Sequence, residues 1–151
     1  MDAMLFRVRA SVLWVAVAVA AMGSLLLLLF EPGAVEGLLA GEMEGEALTD
    51  GTRFFLAAVG IFPVVMVAVS LLVSDRVNRW VNMIAGLVFG FFGVFAVVSH
   101  LSAGDDTAHT FLFGVAGALA FLIGGMGIAE IRHASSGAVA EPSRYHKPTT
   151  A

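Results

Sequence analysis

Cysteine is absent from this chain of 151 residues, and charged side chains make up only 13% of it. The absence of cysteine excludes disulfides, thiolate metal sites and cysteine nucleophiles. The shortage of charge is unusual, since ordinary globular domains contain about 25% charged residues. The net charge of −4 argues against nucleic acid as a partner.

Ionisable side chains are also missing from the middle of every long apolar run. Proton relays, ion pathways and coupled transporters usually keep such a group within the membrane, at a cost of at least about 2.5–3.5 kcal/mol. The sequence also lacks a glycine-rich phosphate loop and any recognisable Ser/His/Asp set. We therefore expect no catalytic residue and no cofactor, and favour a protein that is not an enzyme.

Apolar residues make up 59% of the chain, more than a soluble core can use. They form four runs of about 20 residues, which is enough to cross about 30 Å of hydrocarbon as a helix. We predict an all-α integral membrane protein in which four transmembrane helices form an up-down bundle. The predicted spans are residues 10–30, 54–74, 80–99 and 110–129.

The first run has an alternative interpretation, because Arg7 and Arg9 precede it as they would precede the core of a signal peptide. The run continues through Leu25 to Phe30, beyond the usual 7–15 residues of such a core. We therefore interpret it as a retained membrane span.

Basic residues indicate which way the spans run. Seven of the eight fall on the side that holds both termini and the connection between the second and third spans: Arg7, Arg9, Arg76, Arg79, Arg132, Arg144 and Lys147. Arg53 alone falls on the other side, where the loops are acidic. The positive-inside rule predicts a multi-pass protein of the cytoplasmic membrane with its N- and C-termini in the cytoplasm.

The segment from Ser74 to Asn82 concentrates polar residues between the second and third spans. Ser74 or Asp75 is placed to cap the third helix. Asn78 and Asn82, four residues apart, share a helix face. We favour an interhelical hydrogen bond for this pair, and the alternative is a polar lining for a cytoplasmic vestibule.

Small residues and one proline shape the spans. Pro63 lies inside the second span, where it removes a backbone hydrogen bond and predicts a kink. Gly86 and Gly90 form a GxxxG pair in the third span, and similar small-residue ladders occur in the first and fourth. Such faces allow close helix contact, either within the bundle or in a homo-oligomer.

Two histidines and two aspartates flank and fill the second outer loop: His100, Asp105, Asp106 and His109. These side chains are ligands that divalent metals accept, but their spacing fits no known metal motif. We treat them as weak candidates for a metal site and otherwise as ordinary interfacial residues.

Two segments outside the predicted spans are also informative: the first outer loop and the C-terminal residues. Pro32 is suited to open a short interfacial helix in the first outer loop, with Val35, Leu38, Leu39 and Met43 near one face. Residues 133–151 lack periodicity and are predicted to form a disordered cytoplasmic tail. The transmembrane domain is thus expected to comprise residues 1–132.

Several short segments resemble a family of small bacterial four-helix membrane proteins of unknown function. They are Pro32-Gly33, residues 40–43, Pro63, residues 70–73 and residues 77–86, and the resemblance covers roughly residues 10–132. Its most specific part is the Asn-Arg-Trp-x-Asn segment, Asn78, Arg79, Trp80 and Asn82. The resemblance implies the architecture and no particular activity. The chain departs from the family's polar first helix with the leucines at 25–29, and lacks its carboxylate within the fourth helix.

Three functions are compatible with these features. The first is a non-enzymatic membrane protein that acts through contacts with other helices or with lipid. The second is a small oligomeric channel or transporter for cations, which the acidic outer loops would attract. The third is a membrane enzyme that modifies a lipid near the histidines of the outer side.

Overall fold

The computed structural model of the protein describes residues 3–43, 45–104 and 108–139. Over these residues the chain forms helices α1 (Ala3–Leu28), α2 (Ala34–Ala40), α3 (Asp50–Leu72), α4 (Asp75–Ala103) and α5 (Ala108–Val139), and strands β1 (Glu42–Met43) and β2 (Glu46–Ala47). Helices α1, α3, α4 and α5 are long and apolar enough to cross a membrane. The predicted all-α architecture with four spans is confirmed.

The long helices extend beyond the apolar runs, because polar residues can continue a helix outside the lipid. Helix α1 begins at Ala3, so that Arg7 and Arg9 lie on its first turns. Helix α5 continues to Val139 instead of ending near 132, and residues 133–139 therefore belong to the helix and not to the tail. The rest of the predicted tail, residues 140–151, lies outside the described part of the chain.

The helices run alternately up and down, and each packs beside its neighbours in the order α1, α3, α4, α5 and back to α1. We call the near end the one that holds the start of α1, the α3–α4 junction and the end of α5. The far end holds the opposite helix termini together with α2 and the two strands. The bundle thus has two polar ends separated by the apolar length of four helices.

Helices α4 and α5 approach most closely, because glycines face each other along their contact. A methyl group added to Gly86 would lie 2.6 Å from the carbonyl oxygen of Ala120, and one added to Gly93 would lie 2.6 Å from the Cα atom of Gly117. Gly90 faces the ring of Phe121 in the same way, at 2.7 Å. The GxxxG pair is therefore used inside the chain, where it allows close packing between backbones.

Helices α3 and α4 meet mainly through aromatic side chains. Phe62 and Phe89 stack with their ring centroids 5.7 Å apart, and Phe55 and Phe92 meet edge to face at 5.2 Å. Trp14 of α1 adds an edge-to-face contact with Phe62 at 5.8 Å. These rings fill the space between backbones that stay farther apart than those of α4 and α5.

The connection between α1 and α3 contains the expected short helix. Helix α2 begins after Gly33 and ends at Gly41, and both glycines have a positive φ, of 83° and 80°, which other residues rarely adopt. Val35, Leu38 and Leu39 are exposed on it. Met43, which we placed on the same helix face, instead lies in β1 and pairs with Glu46 of β2. Strands of two residues are too short to leave a periodic pattern in the sequence.

Candidate functional site

A network of hydrogen bonds at the near end centres on Asn82 of α4. The Oδ1 atom of Asn82 accepts hydrogen bonds from Nε1 of Trp14 at 2.6 Å and from Oγ of Ser70 at 3.0 Å. All three side chains are fully buried. Asn82 thus joins α1, α3 and α4, and the interhelical hydrogen bond that we favoured for it is confirmed.

Asn78 completes this network from one turn earlier in α4. The Nδ2 atom of Asn82 donates to Oδ1 of Asn78 at 2.6 Å and to its carbonyl oxygen at 2.9 Å. The Nδ2 atom of Asn78 is buried and finds no acceptor among the residues that the structure describes. Because Asn78 and Asn82 are fully buried within the packed bundle, they are poorly placed to line a vestibule.

The start of α1 is tied to the α3–α4 junction by Arg7. Its guanidinium forms an ion pair with Oδ1 of Asp75 at 2.8 Å and donates to the carbonyl oxygen of Leu71 at 2.7 Å. Asp75 therefore serves as a partner for Arg7. Ser74 occupies the N-cap position of α4, but its side chain makes no capping hydrogen bond.

A second charged pair at this end joins α4 to α5. The Nε atom of Arg79 lies 3.9 Å from Oε2 of Glu130, which is too far for a hydrogen bond. Arg79 Nε is buried and has no acceptor among the described residues. The Glu130 side chain is only 5% exposed, although it directly follows the predicted fourth span, residues 110–129.

The spacing of small and apolar residues along α5 indicates that Glu130 lies on the buried face of this helix. Residues 116, 120, 123, 127 and 130 follow at intervals of four, three, four and three, and all are buried. These intervals define one face of a helix, so Glu130 extends the buried face of α5 by one further turn.

Beside Arg79, the outer surfaces of α4 and α5 form a groove of about 460 Å³ at the near end. We call it the near-end groove. Arg76, Arg79 and Trp80 line it from α4, and Ile131 and Ser135 line it from α5. It brings Arg76 and Arg79 together with the exposed ring of Trp80.

The far end has its own polar cluster, built around His109 at the start of α5. Its Nδ1 atom lies 2.5 Å from Oε1 of Glu31, and its carbonyl oxygen accepts from Oγ of Ser24 at 2.8 Å. The imidazole is 8% exposed, so His109 is buried and is not an ordinary interfacial residue. The cluster ties the beginning of α5 to the end of α1 and to the residues that follow it.

The ring of His100 meets that of His109 edge to face, with centroids 5.1 Å apart. Two of the four weak metal candidates are thus neighbours, whereas Asp105 and Asp106 lie outside the described residues. Within the described part of the chain no group of three or more possible ligands has a geometry suited to a metal ion. A metal site formed by all four side chains remains a prediction.

A cavity of about 160 Å³ lies beside this cluster, between all four long helices. His100, His109 and Thr110 contribute the polar part of its wall, and the rings of Phe55 and Phe92 contribute much of the apolar part. The Oγ1 atom of Thr110 lies 3.4 Å from Nε2 of His109, at the limit of a hydrogen bond.

Four apolar helices joined at both ends by polar contacts define a multi-pass membrane protein. The chain belongs to the family of unknown function DUF6326, whose model matches residues 6–123. The resemblance to a four-helix membrane family of unknown function is thereby confirmed. No curated protein and no solved structure matches the chain at a significant level.

Proposed function

We propose that this protein is a non-enzymatic component of the bacterial cytoplasmic membrane that acts through contacts with lipid or with other helices. The supporting observation is the interior of the bundle. Between the polar ends it is filled by large apolar and aromatic side chains, among them Trp14, Val17, Phe89 and Ile123, which are 0–6% exposed. A close-packed interior of this kind gives one chain no path for water or ions.

The near end is placed in the cytoplasm in this proposal. The described basic residues at that end are Arg7, Arg9, Arg76, Arg79 and Arg132, and the far end has Arg53 alone among them. The positive-inside rule orients a protein by such a difference, counted close to the ends of the spans. The acidic surface around α2 and the two strands would then face outward.

A flux measurement tests the proposed function. Purified protein is reconstituted into liposomes loaded with K⁺ or with H⁺-sensitive dye, and the leak is compared with that of empty liposomes. We expect equal leaks at every lipid composition, because the packed interior offers no conducting path. A leak that grows with the amount of protein would contradict the proposal.

An oligomeric cation channel is the second candidate, favoured by exposed carboxylates at the far end, on Glu36, Glu42, Glu46 and Asp50. Such clusters raise the local concentration of cations. The pore would have to lie between chains, while the Gly86 and Gly90 pair that we considered for a homo-oligomer packs against α5. Cross-linking of the protein in lipid, together with the flux assay, tests this candidate.

A lipid-modifying enzyme is the third candidate, and the far-end cluster favours it. The imidazole of His109 contacts the hydroxyl of Thr110 through Nε2 and the carboxylate of Glu31 through Nδ1. His109 and Thr110 line the cavity at this end. Elemental analysis of the purified protein supplies its test. A divalent metal that is bound in the native protein and lost in His100→Ala or His109→Ala would favour this candidate over the first.

A further inference from the structure

We propose that the near-end groove binds the headgroup of an anionic phospholipid from the leaflet that it faces. This inference rests on the proposed lipid-contact function and names the partner of that contact. Two properties of the groove carry it: arginines that lack sufficient acceptors, and an apolar surface that continues from the groove along the membrane-facing side of α4.

The arginines of the groove have unused capacity to bind an anion. Arg76 makes no ion pair or hydrogen bond with any described residue. Arg79 lies 3.9 Å from Glu130, beyond hydrogen-bond distance, and its side chain is 22% exposed. Asp75, the acidic residue of the groove, is already paired with Arg7 at 2.8 Å. A phosphate group supplies several acceptor oxygens with the geometry that guanidinium groups bind best.

The size and position of the groove suit a headgroup. Its volume of about 460 Å³ falls within the range of about 300–1,000 Å³ that small-molecule sites occupy. Trp80 is 48% exposed at its rim, and tryptophan is enriched where the polar and apolar layers of a membrane meet.

An apolar stripe leads from the groove toward the far end and favours a lipid over a soluble anion. Along α4 the stripe follows Arg76 at intervals of three and four residues, and its members are 48–70% exposed: Trp80, Ile84, Val88, Phe91 and Phe95. Residues at these intervals share one face of a helix. A phospholipid bound by its phosphate at Arg76 and Arg79 would lay an acyl chain along this stripe. Free phosphate would use the groove alone.

Two tryptophans in different surroundings make the site measurable. Trp14 is fully buried in the core, whereas Trp80 lies in the groove and is accessible to lipid. Phosphatidylglycerol brominated near the headgroup end of its chains should quench Trp80, and unbrominated phosphatidylcholine serves as the competitor. Trp80→Phe measures the background from Trp14. Mixed membranes in which both leaflets have the same composition make the result independent of orientation.

We expect phosphatidylglycerol to be preferred over phosphatidylcholine at Trp80 by about fivefold or more for each arginine engaged. Arg76→Gln should reduce the preference by about that factor. Arg76→Gln combined with Arg79→Gln should bring it close to one. Arg76→Gln is the decisive variant, because its side chain holds no described partner and its removal should leave the fold intact.

Arg132→Gln is the matched control, since it removes one positive charge from the same end at a residue that does not line the groove. Because it has no contact with the groove, it should reduce the preference at Trp80 clearly less than Arg76→Gln does. Equal losses in Arg132→Gln and Arg76→Gln would show only general attraction to the charged surface and would overturn the proposal. Displacement of the brominated lipid by millimolar glycerol phosphate would also overturn it, because the ligand would then be a soluble anion.

The lipid assay and the flux assay test the two proposals separately. A protein that leaks ions but prefers phosphatidylglycerol at Trp80 would contradict the non-conducting function and leave the lipid site standing. A protein that is tight but shows no preference would contradict the lipid site alone.

Discussion

The indole nitrogen of Trp14 donates a hydrogen bond of 2.6 Å to Oδ1 of Asn82, across the bundle and deep within it. The same oxygen accepts from Ser70, so one amide connects three of the four long helices. A donor that is buried without an acceptor costs free energy because it has lost its water as well as its partner. The most destabilising substitutions in this network should therefore be those that remove Oδ1 of Asn82 and leave the donors of Trp14 and Ser70 in place.

Asn82→Leu should lower the stability of the bundle by about 1–3 kcal/mol, because it leaves Trp14 Nε1 and Ser70 Oγ without their acceptor. The measurement is thermal or denaturant unfolding of the purified protein in detergent. The double variant Trp14→Phe with Asn82→Leu removes the stranded indole donor too. We expect its loss to be smaller than the sum of the two single losses. Strict additivity would argue against coupling between these two side chains.

Gly86→Ala should destabilise the protein by about 1–3 kcal/mol, because its new methyl group would lie 2.6 Å from the Ala120 carbonyl oxygen and the helices would have to separate. Gly125→Ala is the matched control in α5, since a methyl group there meets nothing within 4 Å. It should be neutral or stabilising by up to about 1 kcal/mol through helix propensity. Unfolding midpoints of the two variants, measured side by side, check this contrast. Similar midpoints would mean that the seam is not tightly packed.

Glu31→Gln should loosen the connection between α1 and α3, because it weakens the contact between Glu31 and the buried His109. Hydrogen exchange of residues 31–43 should become faster in the variant, while exchange within α4 stays the same. Glu36→Gln offers the same chemical change on exposed α2, where Glu36 has no described partner. Faster exchange in both variants, or in neither, would show that the pair with His109 does not hold this segment.

Single-cysteine labelling tests the proposed cytoplasmic placement of the near end, because the native chain has no cysteine that would give background labelling. Cysteine at Ala47 should react with an impermeant maleimide added outside intact cells. Cysteine at Ser135 should react only after the membrane is opened. The reverse pattern would show that the protein is inserted the other way round.

Much of the architecture could be predicted from the sequence, because lipid imposes a length on each apolar run and forces the backbone into helices. The spans and the short helix in the first connection were predicted on that basis. The two-residue strands were not, since they are too short for any periodicity. The end of α5 was predicted too early, because residues 133–139 continue the helix without an apolar periodicity that would indicate it.

The polar sites were predictable in part. The spacing of four between Asn78 and Asn82 predicts that they share a helix face. The partners Trp14 and Ser70 belong to other helices, and only the packing of the bundle brings them into contact. Glu130 was overlooked because a charge at the end of an apolar run was treated as a boundary. The burial of His109 depends on Glu31, 78 residues away in the chain, and no local pattern records such a contact.

The glycine contact between α4 and α5 has a mechanical consequence. Backbones that touch through glycines have little freedom to slide, so α4 and α5 should move as one rigid unit. Helix α3 meets α4 mainly through phenylalanine rings, one pair stacked and one pair edge to face, and it packs more extensively on α1. Because the α3–α4 contact is the least extensive one between neighbouring long helices, a change of shape in this protein should alter it before it alters the contact between α4 and α5.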